Sequence, residues 1–77
     1  MYEILEIAKK LNLSKKDISS INEYLIYDEW GIALEELCSA IIQDELTINS
    51  EQYKVITFLG NKMGFKNELW NDIIVQI

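Results

Sequence analysis

The chain has no histidine, no proline, three glycines and a single cysteine among its 77 residues. Histidine is the commonest general base and the commonest metal ligand, so its absence removes most familiar catalytic constellations. Few helix breakers, together with little alternation of β-branched and polar residues, favour helix as the dominant secondary structure. The lone Cys38 excludes an internal disulfide.

Long apolar runs are also missing. No stretch approaches the roughly 18 to 20 apolar residues that a membrane span requires, and the N-terminal residues lack the charged start and apolar run of a secretory signal. We therefore expect no membrane association and a location in the reducing cytoplasm.

The length and composition indicate one globular domain. Seventy-seven residues can build only one core. Hydrophobic residues make up 49% and charged residues 26% of the chain, an ordinary globular balance. We expect residues 1–77 to fold as a single helical domain, as a monomer or a small oligomer.

The net charge of −6 is unevenly distributed. Residues 1–16 carry +2 and residues 54–77 carry +1, whereas residues 17–53 carry −9 and have no lysine or arginine. A surface of this sign disfavours nucleic acid and anionic membranes as direct partners and favours a basic protein. The alternative is that acidic helices only confer solubility. The nine central carboxylates are Asp17, Glu23, Asp28, Glu29, Glu35, Glu36, Asp44, Glu45 and Glu51.

Apolar residues recur at helical spacing along the chain and predict an all-α fold, a compact bundle of four to five short helices. The predicted helices cover residues 2–11, 15–26 and 29–45, a fourth helix from Asn49 to about residue 63, and a short one at 67–75. Residues 46–48 form the link before the fourth helix. The third helix has the broadest apolar face and is predicted to lie at the centre of the core.

Capping patterns mark three helix starts. Ser14 followed by Asp17, and Asn49 followed by Gln52, resemble capping boxes, and Asp28 is a candidate N-cap of the third helix.

Glycines and a late apolar cluster define the C-terminal part. Gly60 either weakens the fourth helix or permits close packing of a neighbour, and Gly64 is predicted to end that helix in the left-handed conformation, with Phe65 folded back on its last turn. Trp70, Ile73 and Ile74 are predicted to face the core from the fifth helix.

The sequence contains few residue patterns that are typical of a catalytic or metal-binding site. Cys38 has no histidine to generate its thiolate and lies on a mostly apolar helix, which favours a packed side chain. The adjacent pairs Glu35–Glu36 and Asp44–Glu45 diverge by about 100 degrees on a helix and do not share one face. The chain also lacks a calcium-binding loop and a phosphate-binding glycine loop, and acidic helices would approach DNA unfavourably in a helix-turn-helix reader. We expect no enzymatic activity, no catalytic or metal-binding residues and no cofactor.

Aromatic and acidic residues concentrate where the second and third helices meet. Rings supply buried area at low entropic cost, and carboxylates steer and pair with basic residues, as protein interfaces require. The alternative for any one ring is that it completes the core. The candidate partner-binding residues are Tyr24, Tyr27, Asp28, Glu29, Trp30, Glu35, Glu36, Asp44 and Glu45.

Three segments together resemble the MafI-type immunity proteins: DEWGIALEELC at 28–38, INSEQY at 48–53 and LGNKMG at 59–64. The likeness extends over most of residues 20–72. Proteins of this family accompany secreted polymorphic toxins, including those of contact-dependent growth inhibition, and one associated toxin class is the EndoU-like ribonuclease. The resemblance implies binding to a toxin's C-terminal nuclease domain and occlusion of its basic RNA-binding cleft.

A second interpretation belongs to a different class of function. The chain would be a helical adaptor or regulatory module that dimerises, or docks a partner helix, through the exposed apolar edge of the fourth or fifth helix. A reading frame directly downstream of a secreted toxin favours immunity, whereas an unrelated operon favours the adaptor.

Overall fold

The computed structural model describes residues 1–76 and shows a mostly helical fold with one small parallel sheet. A short 3-10 turn covers Asn67–Leu69. The sheet corrects the all-α prediction, although the predicted set of four main helices is present. In chain order, the elements are α1 Glu3–Lys10, α2 Lys15–Ile26, α3 Trp30–Gln43, β1 Thr47–Asn49, α4 Ser50–Lys62 and β2 Ile74–Gln76.

Side-chain caps fix the starts of α2 and α4. The Ser14 hydroxyl accepts a hydrogen bond from the backbone N–H of Asp17 at 3.1 Å. In α4 the capping box is complete, because Asn49 accepts from the Gln52 N–H at 2.7 Å and the Gln52 side chain accepts from the Asn49 N–H at 3.0 Å. The predicted N-cap at Ser14 and the predicted capping box at Asn49 are confirmed, since both depend only on residues three positions apart. At Ser14 the box is half formed, because only the serine side chain takes part.

All four helices end in the same backbone motif. One residue beyond the C-cap adopts a positive φ, and two reversed hydrogen bonds close the last turn, as in the Schellman motif. At the end of α2, for example, the N–H of Asp28 donates to the Leu25 carbonyl at 3.1 Å and that of Glu29 donates to the Tyr24 carbonyl at 2.8 Å. The positive-φ residues are Asn12 (57°), Asp28 (58°), Glu45 (53°) and Gly64 (86°).

The motif explains why the predicted N-cap role of Asp28 is wrong. Asp28 terminates α2 in the left-handed conformation instead of starting α3, whose N-cap is Glu29 and has no side-chain cap hydrogen bond. The prediction for Gly64 is confirmed, and the N–H of Phe65 donates back to the Gly60 carbonyl at 2.9 Å.

The predicted fifth helix is also wrong. Its residues form the 3-10 turn and then β2, which pairs in parallel with β1 so that Thr47, Ile48 and Asn49 lie opposite Ile74, Val75 and Gln76. Residues 47 and 48 of the predicted 46–48 link belong to β1, which also includes Asn49. The helix α4 forms the crossover between the strands, as parallel pairing requires. β-branched side chains in succession suit a strand better than a helix.

The core lies beneath α3. This helix contributes six buried residues, confirming its predicted central position. Trp70 and Ile73 are buried as predicted, but Ile74 is 57% exposed, because successive strand residues point to opposite sides. Among residues 1–76 no helix is long and apolar enough to cross a membrane. The core residues are Ile4, Ile7, Ala8, Leu13, Ile21, Leu25, Ala33, Leu34, Leu37, Cys38, Ala40, Ile41, Ile48, Ile56, Leu59, Trp70 and Ile73.

Candidate partner-binding surface

The junction of α2 and α3 presents large apolar side chains and carboxylates together. Ile26 is 60% exposed, Tyr27 is 68% exposed and Trp30 is 41% exposed. Asp28 and Glu29, both exposed, lie between the two rings in the chain. We call these five residues, Ile26 to Trp30, the corner patch.

The backbone of the corner is well determined by hydrogen bonds. The two reversed bonds of Asp28 and Glu29 close the end of α2, and the Glu29 carbonyl accepts the Ala33 N–H at 3.0 Å to open α3. Only Tyr27, Asp28 and Glu29 separate the helices. A short, hydrogen-bonded connection of this kind restricts the backbone that carries these side chains.

Trp30 is exposed because of its position along α3. At 100 degrees per residue, Trp30 belongs to the same stripe as the buried Leu34, Leu37 and Ile41. It is the first residue of the helix, however, and its ring extends to the edge of the core, where 41% of it meets solvent. Tyr24 is half-buried and packs against the core, so this ring does more to complete the core edge than Tyr27 does.

Phe65 is a neighbour of the corner that the sequence did not reveal. A Cβ atom on Gly31 would lie 3.4 Å from the Phe65 ring, so this ring covers the first turn of α3. The contact joins residues 34 positions apart, and the only sequence signal for it is the glycine beside Trp30. Phe65 therefore adds apolar surface beside the corner patch.

Glu35 and Glu36 lie on a different side of α3 from Trp30. The helical rotation places them roughly 120 to 140 degrees from the tryptophan, beside Ile32 and Ser39. Ile32 is 43% exposed, Glu35 is exposed and Glu36 is half-buried. Glu35 and Glu36 lie about 100 degrees apart, at the two margins of this side of the helix, with Ile32 and Ser39 between them. We call the broad sector formed by Ile32, Glu35, Glu36 and Ser39 the outer face of α3.

Asp44 and Glu45 are separated from the other candidates. Fourteen residues of α3 at 1.5 Å each place Asp44 about 21 Å from Trp30. Asp44 is the C-cap of the helix, and Glu45 is its positive-φ terminator. The nine candidate residues thus divide into the corner with Tyr24, the outer face of α3, and this distant pair.

The central carboxylates lack cationic neighbours. In the described part of the chain, the one ion pair joins the N-terminal amine to Glu3 at 2.7 Å, and its hydrogen bond lowers the pKa of Glu3. None of the nine carboxylates between Asp17 and Tyr53 has a lysine nitrogen within 4 Å over residues 1–76. Their charge is available to a partner.

Cys38 is fully buried, in agreement with the packed side chain predicted for it. Burial, together with the smaller effect of the negative charge of Glu35, raises the pKa of its thiol to about 12. The thiol is therefore protonated at neutral pH and is a poor nucleophile. No cluster of three potential metal ligands occurs among residues 1–76.

Two shallow grooves flank α1, and neither includes the corner patch. One of about 260 Å³ lies between α1 and the start of α4, lined by Glu6, Lys10 and Glu51 among others. The other, of about 300 Å³, lies between α1 and α2 and includes Lys9 and Lys15.

Comparison with protein-family models, curated proteins and solved structures found no match for this chain.

Proposed function

We propose that this chain is an immunity protein that binds the C-terminal nuclease domain of a cognate secreted bacterial toxin and neutralises it in the cytoplasm. The toxin is of the EndoU-like ribonuclease class, and the chain occludes its basic RNA-binding cleft. The observation that carries the proposal is the corner patch, where exposed Tyr27 and Trp30 flank the exposed acids Asp28 and Glu29.

Electrostatics gives the first part of the mechanism. A ribonuclease cleft binds the phosphates of RNA through clustered basic groups. Carboxylates without an internal cation can occupy the same positions, and their field accelerates the encounter with a basic partner. The nine central acids of this chain meet this requirement, because no lysine nitrogen lies within 4 Å of them in the described residues.

The aromatic rings give the second part. Salt screens interactions among exposed charges, so a long-lived complex needs desolvated apolar contacts. Tyr27 and Trp30 provide large surfaces with few rotatable bonds, and Ile26 extends the apolar area beside them. In the complex, the corner patch would place both rings inside the cleft while the acids meet its rim.

Inhibition of this kind is stoichiometric. The chain makes and breaks no bond, and the protonated, buried Cys38 has no part in it. The resemblance of residues 28–38, 48–53 and 59–64 to MafI-type immunity proteins supports the same function, independently of the charge and exposure of the corner.

RNA cleavage tests the proposal. The nuclease domain of the secreted protein encoded directly upstream is mixed with increasing amounts of this chain. Cleavage should disappear near a one-to-one ratio, and an unchanged rate at severalfold molar excess would refute the proposal. A Tyr27→Ala/Trp30→Ala variant should inhibit far less, whereas Tyr2→Ala, which removes a ring that is 57% exposed on α1, is the matched control and should inhibit normally.

A further inference from the structure

The outward surface of α4 carries an exposed aromatic ring between two lysines. Phe58 is 64% exposed, Lys54 precedes it by four residues and Lys62 follows it by four. The Lys62 nitrogen lies 5.6 Å from the centre of the Phe58 ring, within cation–π distance. Neither lysine has a carboxylate within 4 Å among residues 1–76. We call these three residues the basic stripe.

Helix geometry explains why the basic stripe faces solvent. Residues four apart lie on one face, so the three side chains form a single row about 12 Å long. The buried residues Ile56, Leu59 and Gly60 lie on the opposite side of α4. A single exposed phenylalanine is unremarkable on a protein surface, but a ring flanked on both sides by unpaired cations has a defined chemical complement.

That complement is present on α3. Ile32 is 43% exposed, Glu29 precedes it by three residues, and Glu35 and Glu36 follow it by three and four. The acids thus lie about 5 to 6 Å along the axis on either side of Ile32, and the lysines lie about 6 Å on either side of Phe58. An apolar centre with acids on both sides matches an aromatic centre with bases on both sides.

Ile32 on α3 and Phe58 on α4 are both exposed to solvent, so neither side chain is covered within the fold. Each is therefore accessible to a second copy of the chain.

We propose that the basic stripe of one copy docks on α3 of a second copy, at Ile32 and the carboxylates on either side of it. Phe58 of the first copy then covers Ile32 of the second. Each lysine approaches the carboxylates that lie one helical turn from Ile32. The two helices can pack parallel or antiparallel, because α4 carries a lysine on both sides of Phe58 and α3 carries acids on both sides of Ile32. The net charge of −6 on each copy opposes the encounter, so the association is weak and depends on these local pairs.

Sedimentation velocity over a range of protein concentrations measures the association. The wild-type chain should form a faster-sedimenting species as its concentration rises. Lys54→Glu/Lys62→Glu, which places acids opposite acids, should remain a monomer, and Phe58→Ala should also associate less. Lys15→Glu/Lys16→Glu on α2 makes the same change in net charge and should associate at least ten times more strongly than the α4 variant.

A mixture of two charge-reversed variants, one on α3 and one on α4, tests whether these two surfaces contact each other. Glu35→Lys/Glu36→Lys should also associate poorly alone, because two of the three acids around Ile32 become basic. Mixed with the Lys54→Glu/Lys62→Glu variant, it should associate again, since one variant retains the basic stripe and the other retains the acidic side of α3. A wild-type chain that stays monomeric throughout, or a mixture that fails to associate, would overturn the proposal.

The outcome is independent of the proposed immunity function, because the experiment contains no toxin. Inhibition of RNA cleavage by the Lys54→Glu/Lys62→Glu variant is measured separately, at a protein concentration at which the wild-type chain is monomeric. It should equal that of the wild type, since the substituted residues lie on α4, outside the corner patch.

Discussion

The indole ring of Trp70 packs directly against Gly60. A Cβ atom at Gly60 would come within 2.2 Å of Cζ3 and 2.9 Å of Cη2 of this ring, too close for any side chain. Trp70 is 4% exposed and precedes β2 by four residues. The absence of a side chain on α4 therefore allows the C-terminal segment to close over the helix and brings β2 to β1.

Gly60→Ala should therefore destabilise the protein, although alanine is the better helix former by about 1 kcal/mol. Overpacking against the buried indole should cost about 1 to 3 kcal/mol net, measured by urea unfolding. Gly31→Ala is the matched control, because its Cβ would meet the Phe65 ring at 3.4 Å, and its effect should be smaller. A Gly60→Ala protein as stable as the wild type would contradict the contact.

The helix terminators give a second prediction. Glu45 has a positive φ of 53°, which strains a residue that carries a Cβ atom. Glu45→Gly should raise the free energy of unfolding by about 0.5 to 1 kcal/mol. Glu35→Gly removes the same charge from the middle of α3 and should lower it by about 1 kcal/mol. Chemical denaturation of both variants checks the opposite signs, and equal effects would refute the assigned role of Glu45.

The buried thiol predicts an alkaline loss of stability. The pKa of Cys38 is raised from 9.0 to about 12 by burial and by the charge of Glu35. The folded state thus retains a proton that the unfolded state loses, so the contribution is complete below pH 9 and decreases as pH rises toward 12. Wild-type stability should fall by about 1 kcal/mol more than that of Cys38→Ala between pH 9 and 10. Parallel pH profiles of the two proteins would contradict this coupling.

The features that the sequence predicts best are helix caps and helix ends, which depend on residues close together in the chain. The caps at Ser14 and Asn49 depend on groups three positions apart, and the end of α4 at Gly64 depends on one glycine. Asp28 was assigned to the wrong helix, because an aspartate beside a helix can act as an N-cap or adopt positive φ, and both roles use the same residue type.

Long-range contacts account for what the sequence could not predict. The apolar spacing predicts a helix that ends at about residue 75, yet residues 74–76 pair with β1, which lies 27 positions earlier. Exposure of the candidate rings has the same origin. Trp30 lies on the core stripe of α3 and is exposed only because the core ends there. Periodicity gives the face of a residue on its helix but not where neighbouring elements stop covering it.

The rings of the corner patch should determine how long the toxin complex survives. Trp30→Ala should weaken binding to the nuclease domain by about 2 kcal/mol, roughly 30-fold, mainly through faster dissociation. Surface plasmon resonance measures the dissociation rate, and Phe58→Ala on α4, which removes an exposed aromatic ring outside the corner patch, serves as the control. Equal dissociation rates for the two variants would remove Trp30 from the interface.

The most direct test of the acidic surface is the rate at which this chain associates with the toxin nuclease domain, measured by stopped flow at low and at physiological salt. Three matched neutralisations each remove two negative charges: Asp28→Asn/Glu29→Gln at the corner, Glu35→Gln/Glu36→Gln on the outer face of α3, and Asp44→Asn/Glu45→Gln about 21 Å from Trp30. Our account predicts that the corner variant slows association severalfold and flattens its salt dependence, and that the distant pair has the smallest effect. Association rates identical to wild type in all three variants, at both salt concentrations, would contradict it.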